Sequence, residues 1–308
     1  MSQMASNILY YADSAPVTQK DIENALADAG IKKGDTIMVH SDIGSFGKLG
    51  TLDREFLLQS LVKSLKNTIG PDGTIIMPTF TYSFNKHEPY DIKNTKSTVG
   101  TLTEYFRKQK DVSRTAHPTH SAAIWGKHKK ELLNIGKGTF DKSSIFGKFH
   151  QMNGKFVSFG VPLHMSCTFI HYIEHIHKVP YRYIKKIKGK IITGNKKYEE
   201  EISFDNRYAV FFASFLKFEK YLLKEKLLKE VKVGKSIISM IESDVLLKEG
   251  CKLLDNDIYF FVRNDKIIFK IINYSLYFFL QYFPWPFRML NEAGSIFFCW
   301  LRRNNVED

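Results

Sequence analysis

The sequence predicts an α/β protein in which a central sheet is flanked by helices on both sides, an α/β/α sandwich. Short apolar runs typical of buried strands, such as the Thr-Ile-Met-Val of residues 36–39, alternate with amphipathic helical segments in the first half of the chain. This alternation favours parallel strand pairings. With 308 residues, of which 44% are hydrophobic, the chain is long enough to bury a sizeable core.

The first half of the chain carries clear signals for where its elements begin and end. Thr18 and Asp21 have the spacing of a helix N-cap, and Gly30 is a typical helix end. Pro71-Asp72-Gly73 indicates a turn into a strand. The predicted elements are, in order, helix 18–30, strand 35–40, helix 52–67, strand 74–77, helix 100–108, strand 121–126 and strand 155–160. Between them, residues 79–98 form a long, polar and aromatic connection of the kind that often carries ligand contacts.

After Pro180 the pattern changes, and we expect hairpins and an aromatic C-terminal extension. The predicted elements are hairpin strands 183–192 and 197–204, a long helix 208–229 and a second hairpin of strands 259–262 and 267–272. Residues 274–308 are crowded with aromatic side chains and interleaved arginines, and Pro284 and Pro286 interrupt them. The chain is therefore divided into a domain, 1–273, and an extension, 274–308. Two placements stay open for the extension: packing on the core or a second subunit in a homodimer, or peripheral contact with a membrane.

Composition limits the partners and the compartment. The formal net charge of +13 attracts phosphates and repels cationic ligands. No zinc-finger, basic-zipper or RNA-recognition signature is visible, so we expect no nucleic-acid partner. Cys167, Cys251 and Cys299 are odd in number and widely spaced, which predicts neither a disulfide framework nor a Cys metal site. Residues 1–4 do not begin a signal peptide, and we expect a cytoplasmic protein.

The most informative stretch is residues 168–175, Thr-Phe-Ile-His-Tyr-Ile-Glu-His. Its spacing places Thr168, His171 and Glu174 along one side of a helix. A carboxylate that holds an imidazole in one tautomer makes it a better base. The same letters spell H-x-x-E-H, a zinc-peptidase signature in which both histidines bind metal. A helix can also carry these residues without any function, so three interpretations stay open at this point.

Six stretches, in order, together resemble the aminoglycoside 3-N-acetyltransferase family, over roughly residues 18–269. They are Gly34-Asp35 through His40-Ser41 with the glycine-containing loop that follows; Gly70-Pro71-Asp72-Gly73-Thr74 with Met77-Pro78; Arg114-Thr115-Ala116-His117-Pro118 with Ser121; the loop from Gly138 to Ser144; Gly160-Val161-Pro162-Leu163; and Thr168-x-x-His171-x-x-Glu174.

The resemblance implies an acetyltransferase domain over residues 1–273 that moves the acetyl group of acetyl-coenzyme A to an amino group, with no metal. It assigns the general base to His171, its partner carboxylate to Glu174 and a hydroxyl near the thioester to Thr168. An amine must lose a proton to attack a thioester, so direct transfer needs a base and no enzyme nucleophile. The coenzyme-binding residues that it implies are His40, Ser41, Ile43, Gly44, His117, Ser121, Ser143 and Ser144.

The acceptor is predicted from charge. Residues 79–96 mix acidic and basic side chains, and a chain at +13 matches a polycation poorly. We therefore expect an amino sugar, nucleotide-linked, in polysaccharide biosynthesis, with Asp42 and Tyr82 as candidate acceptor contacts. Asp42 either binds the ammonium or caps its own loop. The alternatives are an aminoglycoside antibiotic acceptor, a zinc metallopeptidase of H-x-x-E-H type, and a nonenzymatic scaffold that uses the aromatic extension.

Overall fold

The computed structural model of the chain describes residues 8–263. The helices of this part are α1 (Gln19–Asp28), α2 (Arg54–Ile69), α3 (Thr101–Phe106), α4 (Lys129–Leu133), α5 (Ile145–Gln151), α6 (Leu163–Ser166), α7 (Phe169–His177), α8 (Leu216–Lys224) and α9 (Ser243–Asn256), with a 3₁₀ turn at Phe84–Lys86. The strands are β1 (Ile8–Ala12), β2 (Ala15–Thr18), β3 (Thr36–Ser41), β4 (Lys48–Leu49), β5 (Thr74–Pro78), β6 (Tyr90–Asp91), β7 (Ser113–Arg114), β8 (Ala122–Gly126), β9 (Lys155–Phe159), β10 (Arg182–Thr193), β11 (Lys196–Arg207), β12 (Lys229–Val233) and β13 (Ser236–Glu242).

A seven-stranded sheet of order β12-β13-β9-β3-β5-β8-β7 forms the centre. Strand β3 pairs in parallel with both β5 and β9, as the alternation of helices and strands predicts. The outer pairings, β5 with β8, β8 with β7, β9 with β13 and β13 with β12, are antiparallel. The sheet is therefore mixed, and its parallel part is confined to the middle.

Two apolar layers cover the two faces of this sheet, which confirms the predicted sandwich. Successive residues of β3 point to opposite faces. Ile37 and Val39 join the core beneath α1 and α2. Met38 joins the other core, which is built with residues of α5, α7, α8 and α9. His40 follows Met38 by two residues and points to that same side, where its ring lies 4.9 Å from that of Phe156.

A second sheet positions the long connection between β5 and α3. The hairpin β10–β11 matches the first predicted hairpin, and β10 also pairs in parallel with the short strand β6. The segment 79–98 is also anchored at both ends: the N–H groups of Thr79 and Thr81 donate to Ser121 O and Thr119 O in the loop before β8, and the N–H of Thr98 donates to Phe80 O. This anchoring places Tyr82 against the ring of His120, at 5.2 Å between centroids.

Two predictions in the second half of the chain are wrong. The predicted helix 208–229 is reduced to α8: residues 208–215 are not helical, and Lys229 already begins strand β12. Lys226 adopts a left-handed backbone (φ 56°) that ends the helical run, and the edge of β13 then pairs with the next residues. Residues 259–262 form a turn, with Val262 in an isolated bridge to Ala213. The small sheet β2-β1-β4 and helix α9 were not predicted.

The predicted strand 267–272, the extension 274–308 and Cys299 lie outside the described residues. Within residues 8–263, no helix is both long and apolar enough to cross a membrane.

Candidate active site

Helix α7 carries the predicted pair of an imidazole and a carboxylate. Nδ1 of His171 lies 2.7 Å from Oε2 of Glu174, one helical turn away. Glu174 is completely buried, whereas His171 keeps 22% of its side chain exposed. Thr168 precedes the helix in helical backbone geometry, and its carbonyl accepts the N–H of His171 at 3.0 Å. The structure therefore brings the three predicted residues together, with one edge of the imidazole open.

Charged residues from the hairpin β10–β11, which the sequence did not predict to be in the site, contact this pair. Arg182, the first residue of β10, donates to Glu174 from Nε at 2.7 Å and to Asp205 of β11 from Nη1 at 2.9 Å. Asp205 in turn contacts Nδ1 of His175 at 2.6 Å. Tyr181 also donates its hydroxyl to Glu174, at 3.1 Å. The buried carboxylate of Glu174 is thus fully satisfied, as a buried charge requires.

These contacts set the charge state of the pair. Burial lowers the pKa of His171, and the Arg182 cation lowers it further, against the opposing hydrogen bond of Glu174. Burial alone would raise the pKa of Glu174, but Arg182 and His171 outweigh it and lower this pKa to about 2. At neutral pH the pair is therefore an ionised carboxylate beside a neutral imidazole, the state in which a histidine accepts a proton.

A row of rings leads from this pair to the connection between β5 and α3. His171 contacts Phe140 (5.4 Å) and Phe215 (5.6 Å) through edge-on packing. Phe140 contacts His120 at 5.0 Å, and His120 contacts Tyr82. The structure therefore places Tyr82, a predicted acceptor contact, at the far end of the ring row that begins at His171.

The end of β3 and the loop after it contain four of the predicted coenzyme residues: His40 and Ser41 in the strand, and Ile43 and Gly44 in the loop. Its backbone is held by Asp42, whose N–H donates to Phe159 O at 3.0 Å. Gly160 closes against the same loop with a left-handed backbone (φ 78°), and a Cβ there would lie only 2.4 Å from Asp42 O. The carboxylate of Asp42 accepts the N–H of Gly44 at 3.0 Å, so this side chain caps its own loop. Loop capping is thus the role that the contacts of Asp42 support.

His40 and His117 are buried histidines whose Nε2 atoms make no hydrogen bond of normal geometry, although the backbone of Ser166 lies near the first ring and that of Lys137 near the second. Burial lowers the pKa of His40 to about 3 and that of His117 to about 4, so both are neutral. Nδ1 of His117 accepts the backbone N–H of His120 at 3.1 Å, which leaves its proton on Nε2. A buried polar atom without a partner costs roughly 1–3 kcal/mol. Both atoms therefore fit contact with a bound ligand or water.

The remaining predicted coenzyme residues are three serines whose hydroxyl groups form hydrogen bonds within the protein. Ser121 is fully buried and donates to Thr79 O at 2.7 Å. Ser143 donates to the Asp141 carboxylate at 2.6 Å, and Ser144 caps α5 by accepting the N–H of Gly147 at 3.2 Å. These three serines shape their loops, and any contact of theirs with a ligand must come from the backbone or from a shared hydroxyl lone pair.

The H-x-x-E-H stretch does not converge on one point. His171 and His175 turn their Nδ1 atoms to different carboxylates, Glu174 and Asp205. Within residues 8–263, no group of three His, Cys, Asp or Glu side chains could hold a metal ion. Cys167 is buried and burial raises the pKa of its thiol well above the ordinary value, so it packs as a small apolar residue. His164 and His177 pair with Glu219 and Asp255 instead.

Sequence reasoning missed Arg182, Asp205, His120, Phe140 and Phe215. Arg182 stands eight residues after Glu174, beyond the reach of helix periodicity, and Asp205 enters through the register of a hairpin. His120 had a weak signal, because it lies within the predicted coenzyme loop 117–121.

The comparisons with known proteins point to one family. The model of the aminoglycoside 3-N-acetyltransferase family matches residues 38–255, which is more than half of the chain. The chain belongs to this family. It is therefore an N-acetyltransferase, with acetyl-coenzyme A as its cosubstrate and a small-molecule amine as its acceptor. The acetyltransferase prediction is confirmed, and the metallopeptidase and scaffold alternatives are wrong.

The curated relatives are distant in sequence. Aminoglycoside N(3)-acetyltransferase IV from Salmonella sp is 26% identical over 246 residues, which cover 77% of this chain and 87% of the relative. The SPbeta prophage-derived aminoglycoside N(3')-acetyltransferase-like protein YokD of Bacillus subtilis (strain 168) is 26% identical over 212 residues, 60% of this chain and 74% of the relative.

Solved structures share the fold of this acetyltransferase. The apoenzyme of aminoglycoside acetyltransferase AAC(3)-IVa superposes with a TM-score of 0.66 at 22% identity, over 80% of this chain and 92% of that one. AAC-IIIb in a binary complex with CoASH gives 0.65 at 21% identity, over 78% and 96%.

Proposed function

We propose that this protein acetylates an amino group of an aminoglycoside-type acceptor by direct transfer from acetyl-coenzyme A, with His171 as general base. The observation that carries the proposal is the His171–Glu174 pair, in which a buried ionised carboxylate holds a neutral, partly exposed imidazole. Because Nδ1 faces Glu174, the ring is oriented to present Nε2 to the open side. Nε2 would take the proton that the acceptor amine loses as it attacks the thioester.

The coenzyme is proposed to lie against the loop after β3 and the loop 117–121. His40, at the end of β3, and His117, in the loop 117–121, each have a buried Nε2 that makes no hydrogen bond of normal geometry. Such atoms support a ligand site because buried polar atoms are normally hydrogen-bonded, and a bound ligand would supply the missing partner. Thr168, beside His171, is the proposed hydroxyl near the thioester, where it would stabilise negative charge that develops on the acetyl oxygen.

The names of the relatives favour an aminoglycoside acceptor over the nucleotide-linked amino sugar that the charge predicts. One observation favours the second candidate. A cleft of about 660 Å³ lies at the β7 edge of the central sheet, and its cationic lining residues are Lys93, Lys96, Arg107, Lys108, Lys110 and Arg114. No carboxylate is among the described residues that line it. Arg114 at its inner wall donates to Ser121 at 3.2 Å, next to the proposed coenzyme loop.

The test of the base is the His171→Ala variant. Turnover should fall by about two to four orders of magnitude, while coenzyme affinity in calorimetry changes little. His177→Ala, on the same helix but paired with Asp255, is the matched control and should keep normal turnover. Near-normal turnover of His171→Ala would rule out the assignment.

To test the acceptor, a panel of aminoglycosides and nucleotide-linked amino sugars is assayed, and the reaction is measured as release of the free thiol of coenzyme A. We expect aminoglycosides to give the highest kcat/KM. The second candidate is favoured instead if a nucleotide-linked sugar has the highest value and that value falls with added salt. A Lys93→Gln, Lys96→Gln double variant should then weaken the nucleotide-linked acceptor specifically. The double variant Lys220→Gln, Lys224→Gln on α8 changes the net charge equally and serves as control.

A further inference from the structure

Arg182 touches both members of the His171–Glu174 pair. Its Nη2 lies 2.6 Å from Glu174 Oε2 and 2.5 Å from His171 Nδ1. Only 7% of its side chain is exposed. Asp205, which is also buried, binds the opposite side of the guanidinium through Nη1. The cation is therefore fixed between two carboxylates, with one N–H group directed at the ring nitrogen that faces away from the open side.

These contacts force a choice on His171. Arg182 can only donate, and ionised Glu174 can only accept. If Nδ1 carries the proton, it donates to Glu174 and leaves Nε2 free to act as a base. If Nδ1 is bare, it accepts from Arg182, and the proton on Nε2 prevents that nitrogen from acting as a base. A doubly protonated ring keeps its bond to Glu174 but places a second cation beside the guanidinium.

We propose that Arg182, held in place by Asp205, is a positioning residue for His171. Its cation disfavours protonation of His171 before the acceptor binds. After His171 has taken the proton of the amine, the same cation favours transfer of that proton to the leaving thiolate. The inference rests on the proposed role of His171 as base. The new element is the opposing effect of Arg182 and Glu174 on His171. The Glu174 carboxylate stabilises the protonated imidazole, and the Arg182 cation destabilises it.

The proton path closes without any further reactant. The amine nitrogen forms a bond to the acetyl carbon, and its proton moves to Nε2 of His171. The carbon–sulfur bond breaks, and its electron pair leaves with the thiolate, which takes the proton from Nε2. Arg182 raises the free energy of the imidazolium between these two transfers, so it assists the second and restores the neutral base.

The charged groups around His171 come from several elements. Glu174 lies on the same helix, Arg182 on β10 and Arg207 at the end of β11, and His120 faces it from the loop before β8. Phe140 and Phe215 cover the ring with apolar edges. Burial keeps His120 neutral, whereas the two arginines oppose protonation of His171 and Glu174 favours it, so removal of one arginine has a predictable sign.

The experiment compares pH profiles of kcat/KM with the histidine titration of the full-length protein followed by ¹⁵N NMR. Arg182→Gln removes the cation, so the acidic limb and the His171 titration should both move upward by about one pH unit. This corresponds to a roughly tenfold loss of relative activity on the acidic limb. Arg182→Lys keeps the charge and should leave the limb where the wild type has it, although kcat falls because the forked contact is lost.

Asp205→Asn gives the opposite sign and serves if Arg182→Gln does not fold. Without this carboxylate the guanidinium is less neutralised, so the limb should move to lower pH. Lys178→Gln, exposed at the end of α7, is the control and should leave the profile unchanged. A profile and titration that stay in place in Arg182→Gln, or in Asp205→Asn where the former does not fold, overturn the proposal. Normal turnover of His171→Ala refutes the general base instead, and the NMR titration still measures the effect of Arg182 on the ring.

Discussion

Replacing Glu174 by Gln isolates the contribution of one buried charge to both catalysis and stability. Glu174 is completely buried and accepts from His171, Tyr181 and Arg182 at distances of 2.6 to 3.1 Å. A Gln of nearly the same shape keeps the volume but removes the charge. Its amide N–H group, if turned toward His171, would donate to Nδ1 and select the tautomer that cannot act as a base.

The expected loss of turnover is about two to three orders of magnitude, because the imidazole loses both its orientation and the carboxylate that stabilises its cationic form. Removing one partner of a buried ion pair costs about 3–5 kcal/mol of unfolding free energy. At roughly 2–4 °C per kcal/mol for a domain of this size, Tm should fall by about 10 °C.

The assay is steady-state turnover together with thermal unfolding, measured on Glu174→Gln and on Glu199→Gln. Glu199 is exposed on β11, so its variant carries the same chemical change with an expected effect on stability within about 0.5 kcal/mol. Turnover close to that of the wild type in Glu174→Gln would refute the orienting role. Loss of activity on treatment with a chelator, with stoichiometric zinc in the purified protein, would refute the metal-free chemistry.

Three further outcomes are expected. Gly160→Ala should lower coenzyme affinity and Tm, since the new Cβ would lie 2.4 Å from Asp42 O. Gly194 also has a positive φ, but a Cβ there would have nothing within 4 Å, so Gly194→Ala should leave coenzyme affinity unchanged. Equal losses of affinity in the two variants would contradict the steric argument. Cys167→Ala should retain turnover within a few-fold, because the thiol is buried and its pKa is raised; an inactive but folded variant would point to a nucleophile. The stability advantage of the wild type over Glu174→Gln should be complete above pH 4.5 and should decline as the pH falls towards 2, because folding lowers the pKa of this carboxyl from 4.5 to about 2. Urea unfolding of both proteins at several pH values measures this difference. A difference that stays constant with pH would show that the charge of Glu174 is not responsible.

The sequence by itself determined the features that depend on neighbours along the chain. The apolar run of β3, the caps of α1 and the turn at 71–73 are local signals, and the sandwich follows from their alternation. The pairing of His171 with Glu174 is local as well, because residues three apart on a helix face the same way. The ordered set of motifs, which includes this pair, was sufficient to indicate the family.

Only the tertiary structure decided which groups complete the site. Arg182 reaches Glu174 because α7 packs beside the hairpin β10–β11, and Asp205 reaches Arg182 because of the register of that hairpin. Neither contact has a period that a sequence pattern can show. The helix predicted over 208–229 failed in its first third for the same reason: residues 208–215 make backbone hydrogen bonds to distant segments, from Tyr208 N–H to Tyr181 O and from Ser214 N–H to Phe261 O. Contacts between distant segments depend on packing and on hydrogen bonds that the chain satisfies only once it is folded.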